Sequence, residues 1–348
     1  MDLRVALAGY GLAGRVFHAP LIATTPGLSL AHILTTDPER VAKARAEHPE
    51  AEVRDSLGGG WETTDLLVVA TPNATHVPLA EAAIARGIAV VVDKPLAPDA
   101  RSAARLVARA AESAVPLSVF HNRRWDAEML TAAELVREGR LGTVRRWESR
   151  IERWRPDGSA GGWRARPPEA GGGLLLDLAS HLVDQALRLF GPVAAVYAES
   201  ATVRPGHAAE DDAFLALTHA GGVVSHLHVS AVCPAPGPRL RVIGTTGAYV
   251  VAAIDGQEDA LRAGRRPGDG APWGEVAEPG WGHIIRGDAI EPVPSRPGDW
   301  PAFYAQMAAA VRDGAPVPVD PADAVTGLEV LAAARESATR RAVVTLGA

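Results

Sequence analysis

Leu3-Arg4-Val5-Ala6-Leu7-Ala8-Gly9-Tyr10-Gly11-Leu12-Ala13-Gly14 decides the fold of this chain. Val5–Ala8 reads as a short apolar strand, and it runs without a linker into glycines spaced G-x-G-x-x-G, after which Gly14–Thr24 has the periodicity of a helix. Glycines in that context allow a tight turn and let backbone N–H groups approach a pyrophosphate at the positive end of the helix. The spacing is weak evidence in isolation. With a strand before it and a helix behind it, it predicts a dinucleotide-binding loop with Gly9, Gly11, Leu12, Ala13 and Gly14 against the phosphates. The competing reading is a glycine-rich turn packed for steric reasons alone.

Outward from this loop, short apolar runs keep alternating with helical patterns. Leu28–Leu34, Leu66–Ala70, Ile88–Val92 and Leu117–Phe120 read as strands, and Pro38–Glu47, His76–Arg86 and Asp99–Ser113 as the helices between them. That alternation is the signature of βαβ units, so residues 1–121 are expected to form an α/β Rossmann domain, a doubly wound parallel sheet. Beyond it the pattern changes to helices at about 126–138 and 177–190. Segments typical of antiparallel strands follow at 193–203, 213–219, 223–230, 240–243 and 248–251. Residues 122–348 are therefore expected to form a C-terminal α+β substrate-binding domain with a large, open, mostly antiparallel sheet. Gly, Pro and Arg crowd 255–298, which reads as a long loop region with room for short strands, and helices at about 299–313 and 321–340 close the chain.

Composition limits the partners. At 348 residues the chain suits two domains, and its 47% hydrophobic and 22% charged residues are the balance of a globular protein. A net charge of −6 offers no basic stripe to replace phosphate counterions, so a small molecule is expected rather than nucleic acid. Cys233 is the only cysteine and cannot form an intrachain disulfide, which makes the cytoplasm the expected compartment. The opening apolar stretch is too short for a signal peptide, and no run of about 18 apolar residues predicts a membrane span.

Candidate site residues cluster at predicted strand ends, where ligands of open parallel sheets bind. Ile88–Val92 leads straight into Asp93-Lys94-Pro95, placing Lys94 at such an end. Thr71-Pro72-Asn73 with His76 follows the third strand and would lie beside the ribose and nicotinamide, although the same residues are ordinary turn and N-cap chemistry. After the second strand stand Thr35-Thr36-Asp37, hydroxyls where a ribose-binding acid is usual, with Arg40 one helical turn later. Hydroxyls and a cation tolerate a 2′-phosphate, so the cofactor is NADP or NAD with the lean to NADP. Asp177 and His181, four apart in a predicted helix, share one face and can pair as a proton-transfer couple or as a plain ion pair. A nucleotide loop, a strand-end lysine and an Asp/His pair are the inventory that hydride transfer from a secondary alcohol requires.

Several segments carry a family resemblance. Gly9–Pro20, Ala70–His76, Asp93-Lys94-Pro95, His121-Asn122-Arg123-Arg124-Trp125-Asp126 and Asp177–His181 with Asp184-Gln185 resemble, in order, the Gfo/Idh/MocA oxidoreductases. Within that family the likeness runs to the branch of scyllo-inositol dehydrogenases and similar sugar or polyol dehydrogenases. The resemblance implies a site between a Rossmann domain and a C-terminal open sheet, the latter used in oligomer contacts of a homodimer or homotetramer. It implies that Lys94 hydrogen-bonds the reacting oxygen, that His181 is the acid/base and that Asp177 assists it. Asn122, Arg123 and Trp125 would lie near nicotinamide and substrate, with Asp93 among the cofactor contacts. Two departures stand out: Asp93 where the family usually has Glu, and Ala179 where glycine is common.

On the substrate side, Trp147, Glu152, Arg153, Trp154, Arg155 and Trp163 precede the glycine run 171–173. Arg153, Arg155 and Trp163 are the expected polyol contacts, against the plainer reading of surface arginines on a strand. His226 and His228 share a strand face near His219, yet no third ligand completes a set, and no metal is expected. Two other functions fit the same motifs: an NAD-dependent glycosidase using transient oxidation, and a non-catalytic nucleotide sensor.

Overall fold

The computed structural model describes residues 2–158, 162 and 165–347. Strands β1 (Leu3–Ala8), β2 (Leu28–Leu34), β3 (Glu52–Arg54), β4 (Leu66–Val69), β5 (Ala89–Val92) and β6 (Leu117–Val119) form one sheet in the order 3-2-1-4-5-6. Every pairing in it is parallel. This is the doubly wound Rossmann order. Its central strands are apolar on both faces because helices cover both sides, and Val90, Val91 and Val92 are fully buried. Burying each such side chain contributes roughly 1.5–3 kcal/mol relative to leaving it in water.

The ladder brings the strand exits level. Gly9 N–H donates to the last carbonyl of β2, Ala70 N–H to that of β1, Asp93 N–H to that of β4 and Phe120 N–H to that of β5, at 2.7–2.9 Å. Phosphate loop, Thr71 turn and Lys94 turn therefore leave the sheet along one edge. Strand β3, with one exposed and two half-buried residues, has no apolar run to announce it and was absent from the sequence reading.

The second sheet has nine strands. β7 (Val144–Glu152), β8 (Val193–Ala201), β9 (Asp212–His219), β10 (Val224–Ser230), β11 (Leu240–Gly244), β12 (Ala248–Val251), β13 (Gly282–Arg286), β14 (Ala289–Val293) and β15 (Val344–Thr345) run in the order 14-13-12-11-7-10-9-8-15. Among the described residues only β7 and β10 pair in parallel in this sheet, so it is mixed and mostly antiparallel. Central β7 was not expected as a strand, since its sequence VRRWESRIE is dominated by charge. The charges make sense in place: Glu148 on β7 receives Arg150 at 3.1 Å and Arg241 of neighbouring β11 at 2.9 Å. Within 255–298, read as loop with room for short strands, β13 and β14 form an antiparallel hairpin and Gln257–Arg262 a short helix.

The chain divides into two compact units. One contains the residues up to Asn122 together with Gly256–Trp273 and Asp299–Val325, and the other contains Arg123–Asp255, Gly274–Gly298 and the residues from Thr326 onward. Where the sequence reading kept 122–348 together, the chain returns twice to the first unit. Aromatic residues explain the return: Trp300 packs edge-on against Phe17 at 5.9 Å, and Phe303 against Phe120 at 4.9 Å. Gln257 Oε1 accepts from Trp273 Nε1 at 2.9 Å and from Trp300 N–H at 2.8 Å, which ties the returning segments to each other. Among the described residues no helix is long and apolar enough to cross a membrane.

Candidate active site

In the first unit the phosphate loop is built by backbone crowding. Gly9 has φ +97°, and a Cβ there would fall on the Ala70 carbonyl oxygen, while a Cβ on Gly14 would fall on the Gly9 carbonyl oxygen. Gly11 is open: nothing but the Arg40 guanidinium, at 3.9 Å, comes near its Cβ position. Leu12 is 48% exposed and Ala13 begins a π-helical turn through His18, closed by Ala19 N–H on the Gly14 carbonyl. Single π-helical turns of this kind occur frequently at functional sites. A cradle of bare backbone at a helix start, closed to side chains at Gly9 and Gly14 and open at Gly11, fits a dinucleotide pyrophosphate.

At the end of β2, Thr35 is buried and Thr36 exposed. Asp37 is occupied as the N-cap of helix Pro38–Glu47, its Oδ1 accepting from Glu39 N–H at 3.0 Å and Arg40 N–H at 3.1 Å. Arg40 stays half exposed near the loop, with Asp37 at 3.8 Å as a loose partner. Arg40 thus stands near the two hydroxyls, while Asp37 turns its Oδ1 to the helix N–H groups and its other oxygen toward the guanidinium. At the β4 exit, Thr75 hydroxyl donates to Thr71 Oγ1 at 2.7 Å, and Pro72 and Asn73 start the helical turn. His76 is buried, and its ring nitrogens face the carbonyls of Pro95 at 2.8 Å and Thr71 at 2.9 Å. His76, expected as a cofactor contact, lies between the Thr71 turn and the Lys94 turn and links their backbones.

Lys94 is half-buried directly beyond β5, and the Lys94–Pro95 bond is cis. Asp93 turns back so that its Oδ1 accepts the Lys94 N–H at 2.8 Å. Burial is the strongest influence on the Asp93 carboxyl and pushes it up, yet its neighbours His18, Lys94 and His76 together hold it below the usual carboxylate range. Asp93 therefore stays ionised beside the lysine. Asn122, also in this unit, is buried where a 3₁₀ turn follows β6.

In the second unit, Asp177 lies in a π-helical turn, Leu175–Ala179, and His181 in the first turn of helix Ser180–Phe190; both are 6% exposed. Ser180 N–H closes the π turn on the Leu175 carbonyl, and its hydroxyl donates to the Leu176 carbonyl at 2.8 Å. The approach is braced by Glu210, a residue the sequence reading passed over. Its carboxylate accepts Leu175 N–H at 3.0 Å and its carbonyl accepts Leu174 N–H at 3.0 Å. That carboxylate occupies the space a Cβ on Gly173 would need, which gives the last of the three glycines a reason.

Arg123 is buried and its guanidinium meets Asp126 at 3.2 Å, while its carbonyl accepts Gln185 Nε2 at 2.8 Å. Arg124 forms a two-point bridge to Asp184 at 2.9 and 2.6 Å. These arginines lie inside a buried ionic network rather than on an open wall, and Trp125 beside them is half-buried. Arg239 extends the network to Glu128 at 3.0 Å and Ser149 at 2.5 Å. Burial, with Glu128 as a neighbouring charge, raises the Asp126 carboxyl well above its ordinary range, and burial likewise raises Glu128. Arg153 is half-buried and Arg155 exposed, their N–H groups bound to the carbonyls of Ser230 and Ala231 at 2.8 Å. Trp147 is core, fully buried against Phe190. Trp163 lies outside the described residues. His226 and His228 both pack against Phe214, and His219 is engaged by the Gly191 carbonyl and the Ser225 hydroxyl at 2.9 Å each.

Comparison with known proteins agrees with both units. Residues 3–121 match the oxidoreductase family with an NAD-binding Rossmann fold, and residues 129–250 match the GFO/IDH/MocA C-terminal domain. The scyllo-inositol 2-dehydrogenase (NADP(+)) IolW of Bacillus subtilis (strain 168) is 35% identical, over 99% of this chain and 96% of its own. The chain belongs to the Gfo/Idh/MocA oxidoreductase family. The uncharacterized oxidoreductase YdgJ of Escherichia coli (strain K12) is 37% identical over 99% of each chain. Among solved structures, yvaA from Bacillus subtilis superposes with a TM-score of 0.91 at 33% identity, covering 100% of this chain and 98% of the other.

Proposed function

We propose that this Gfo/Idh/MocA oxidoreductase interconverts a secondary alcohol and its ketone on a cyclic polyol, inositol or sugar-like molecule, with NADP as the preferred nucleotide. The observation that carries the reading is Lys94 held by an ionised Asp93 on the same sheet edge as a phosphate loop of bare backbone. Full-length similarity to IolW supports the substrate class and the nucleotide. Arg40 beside Gly11, with Asp37 Oδ1 engaged as a helix cap, also supports NADP, because a cation near the ribose favours a 2′-phosphate.

Gly9, Gly11, Leu12, Ala13 and Gly14 would hold the pyrophosphate, Thr35, Thr36 and Arg40 the adenosine ribose, and Thr71, Pro72, Asn73 and Asn122 the nicotinamide half. The nicotinamide supplies the hydride acceptor. In oxidation, Lys94 donates a hydrogen bond to the reacting oxygen and favours its alkoxide character, which lowers the barrier to hydride departure. His181 removes the hydroxyl proton, and Asp177 favours the protonated ring that results. In reduction the same proton returns from His181 to the carbonyl oxygen. Arg153, Arg155 and Trp163 are proposed contacts to the remaining hydroxyls.

Lys94→Ala is expected to lower kcat about 10²- to 10³-fold, the span typical of losing one donor to a developing oxyanion, while leaving nucleotide affinity unchanged. The assay follows nicotinamide absorbance across inositols, aldoses and uronates with both nucleotides. Normal turnover in the variant would remove Lys94 from the chemistry. No net change in nicotinamide absorbance during turnover would replace a dehydrogenase by transient-oxidation chemistry.

A further inference from the structure

His18 has no part in the reading above, yet it is one of the most completely buried polar residues in the first unit, at 0% exposure. It stands four residues after Gly14, on the helix that leaves the phosphate loop. Phe120 covers one side of its ring at 4.3 Å. Tyr304, also at 0% exposure and 286 residues away in sequence, meets its Nδ1 at 2.5 Å. Its Nε2 faces Asp93 Oδ1 at 3.9 Å, the same oxygen that accepts the Lys94 N–H at 2.8 Å.

We propose that His18 is a positioning residue for Lys94: the Tyr304 hydroxyl fixes the imidazole with its proton on Nε2, and that N–H steadies the Asp93 carboxylate on which the Lys94 turn rests. The inference rests on the role given to Lys94 under the proposed function.

The tautomer follows from counting donors. Among the described residues the Tyr304 hydroxyl has His18 as its one hydrogen-bond partner. Were Nδ1 to carry the proton, the phenolic proton would be buried without an acceptor, a state folded proteins avoid. With the hydroxyl donating to Nδ1, the neutral ring carries its proton on Nε2, which is the atom aimed at the carboxylate. Burial first, and the Asp93 charge second, lift the Tyr304 hydroxyl well above its ordinary value, so the phenol keeps the proton this scheme needs. At 3.9 Å the Nε2 to carboxylate contact is longer than a hydrogen bond, so the ring acts on the half-buried Asp93 carboxylate through the dipole of its N–H. The chain of contacts runs from the helix of the phosphate loop to the strand-end lysine. It gives the nucleotide-binding helix a direct mechanical link to the group that handles the substrate oxygen.

Two measurements on the full chain test this. Ring ¹⁵N shifts of His18 in the nucleotide-free protein are expected to show an acceptor Nδ1 and a protonated Nε2; a ring protonated on Nδ1 overturns the proposal. In kinetics, His18→Leu is expected to lower kcat about tenfold, about 1.4 kcal/mol, with KM for the nucleotide little changed. His18→Gln, which keeps an N–H donor near the Nε2 position, restores most of that loss. In an Asp93→Asn background, His18→Leu adds nothing further. Multiplying losses, or a Gln variant as slow as Leu, overturn the proposal. If His18→Leu folds poorly, Tyr304→Phe keeps the ring and is expected to mix the two tautomers in the ¹⁵N spectrum; an unchanged spectrum overturns it. Normal turnover in Lys94→Ala would sink the role of Lys94, whereas an inactive Lys94→Ala with a fully active His18→Leu would sink only this inference.

Discussion

Arg40 and Asp37 show how much one capping interaction can decide. Both residues follow β2, where the proposed nucleotide would present its ribose, and the question is which group faces it. Asp37 turns Oδ1 onto two N–H groups of the helix it starts, and the half-exposed guanidinium of Arg40 is the group that approaches Gly11. Arg40→Ser is accordingly expected to raise KM for NADP on the order of tenfold, about 1.4 kcal/mol, and to leave KM for NAD nearly unchanged. Steady-state kinetics with both nucleotides checks it, and equal losses for the two would detach Arg40 from the 2′ position. At this scale the sequence was informative wherever a residue's job is local. The glycine spacing, the Lys94 strand end and the Thr35-Thr36 hydroxyls could be read directly. His76 and Arg123 could not, because their partners, the carbonyls of Thr71 and Pro95 and the carboxylate of Asp126, are identified only by the fold.

Among elements, the 3₁₀ turn Asn122–Trp125 and the helix Ala127–Arg137 that follows it carry a titration behaviour of their own. Asp126 begins this helix inside a network of buried charges, with its carboxyl held well above the ordinary range by burial and by Glu128. The folded state therefore binds this proton more tightly than the unfolded chain, whose carboxyls titrate near about 3.9. Above that pH the folded state gains nothing from Asp126 and loses stability as pH rises toward its folded value; below it the penalty is absent. Asp126→Asn is expected to flatten the fall of Tm between mildly acidic and neutral pH, with the difference from the parent shrinking toward the acid end. Parallel Tm profiles would show that Asp126 titrates normally. Arg239→Met, by contrast, leaves buried carboxylates without their cation and is expected to destabilise by about 3–5 kcal/mol in urea unfolding. Neither effect was legible in sequence, since β7 and its charged neighbours read as surface. Charge hides a buried strand whenever the ions are paired across the sheet, as Glu148 is with Arg241.

Across the whole molecule, the apolar runs of β1, β4 and β5 were sufficient to place the doubly wound sheet, because strands buried on both faces have little other way to be written. The mixed sheet was legible only in part: β8 to β12 alternate, whereas β13 and β14 lie in a Gly- and Pro-rich stretch, with four of the five β14 residues exposed. Least legible was the composition of the first unit. Ser118 of β6 is tied at both ends to Val319, its hydroxyl donating to the Val319 carbonyl at 2.9 Å and accepting the Val319 N–H at 3.2 Å. Phe17, His18 and Phe120 are likewise covered by Trp300, Phe303 and Tyr304. A fragment ending at residue 122 is therefore expected to lack a cooperative thermal transition and dispersed amide resonances. A sharp transition in that fragment would show that the returning segments are dispensable.

The same discontinuity has a consequence for synthesis. Protein domains generally mature in the order in which the ribosome releases them. Here the nucleotide-binding unit starts the chain, but its aromatic cover arrives some three hundred residues later, after nearly all strands of the other unit have been made. The first unit to emerge thus stays incomplete until Val325 has been made. Until then Phe17 and Phe120 lack the cover that Trp300 and Phe303 provide.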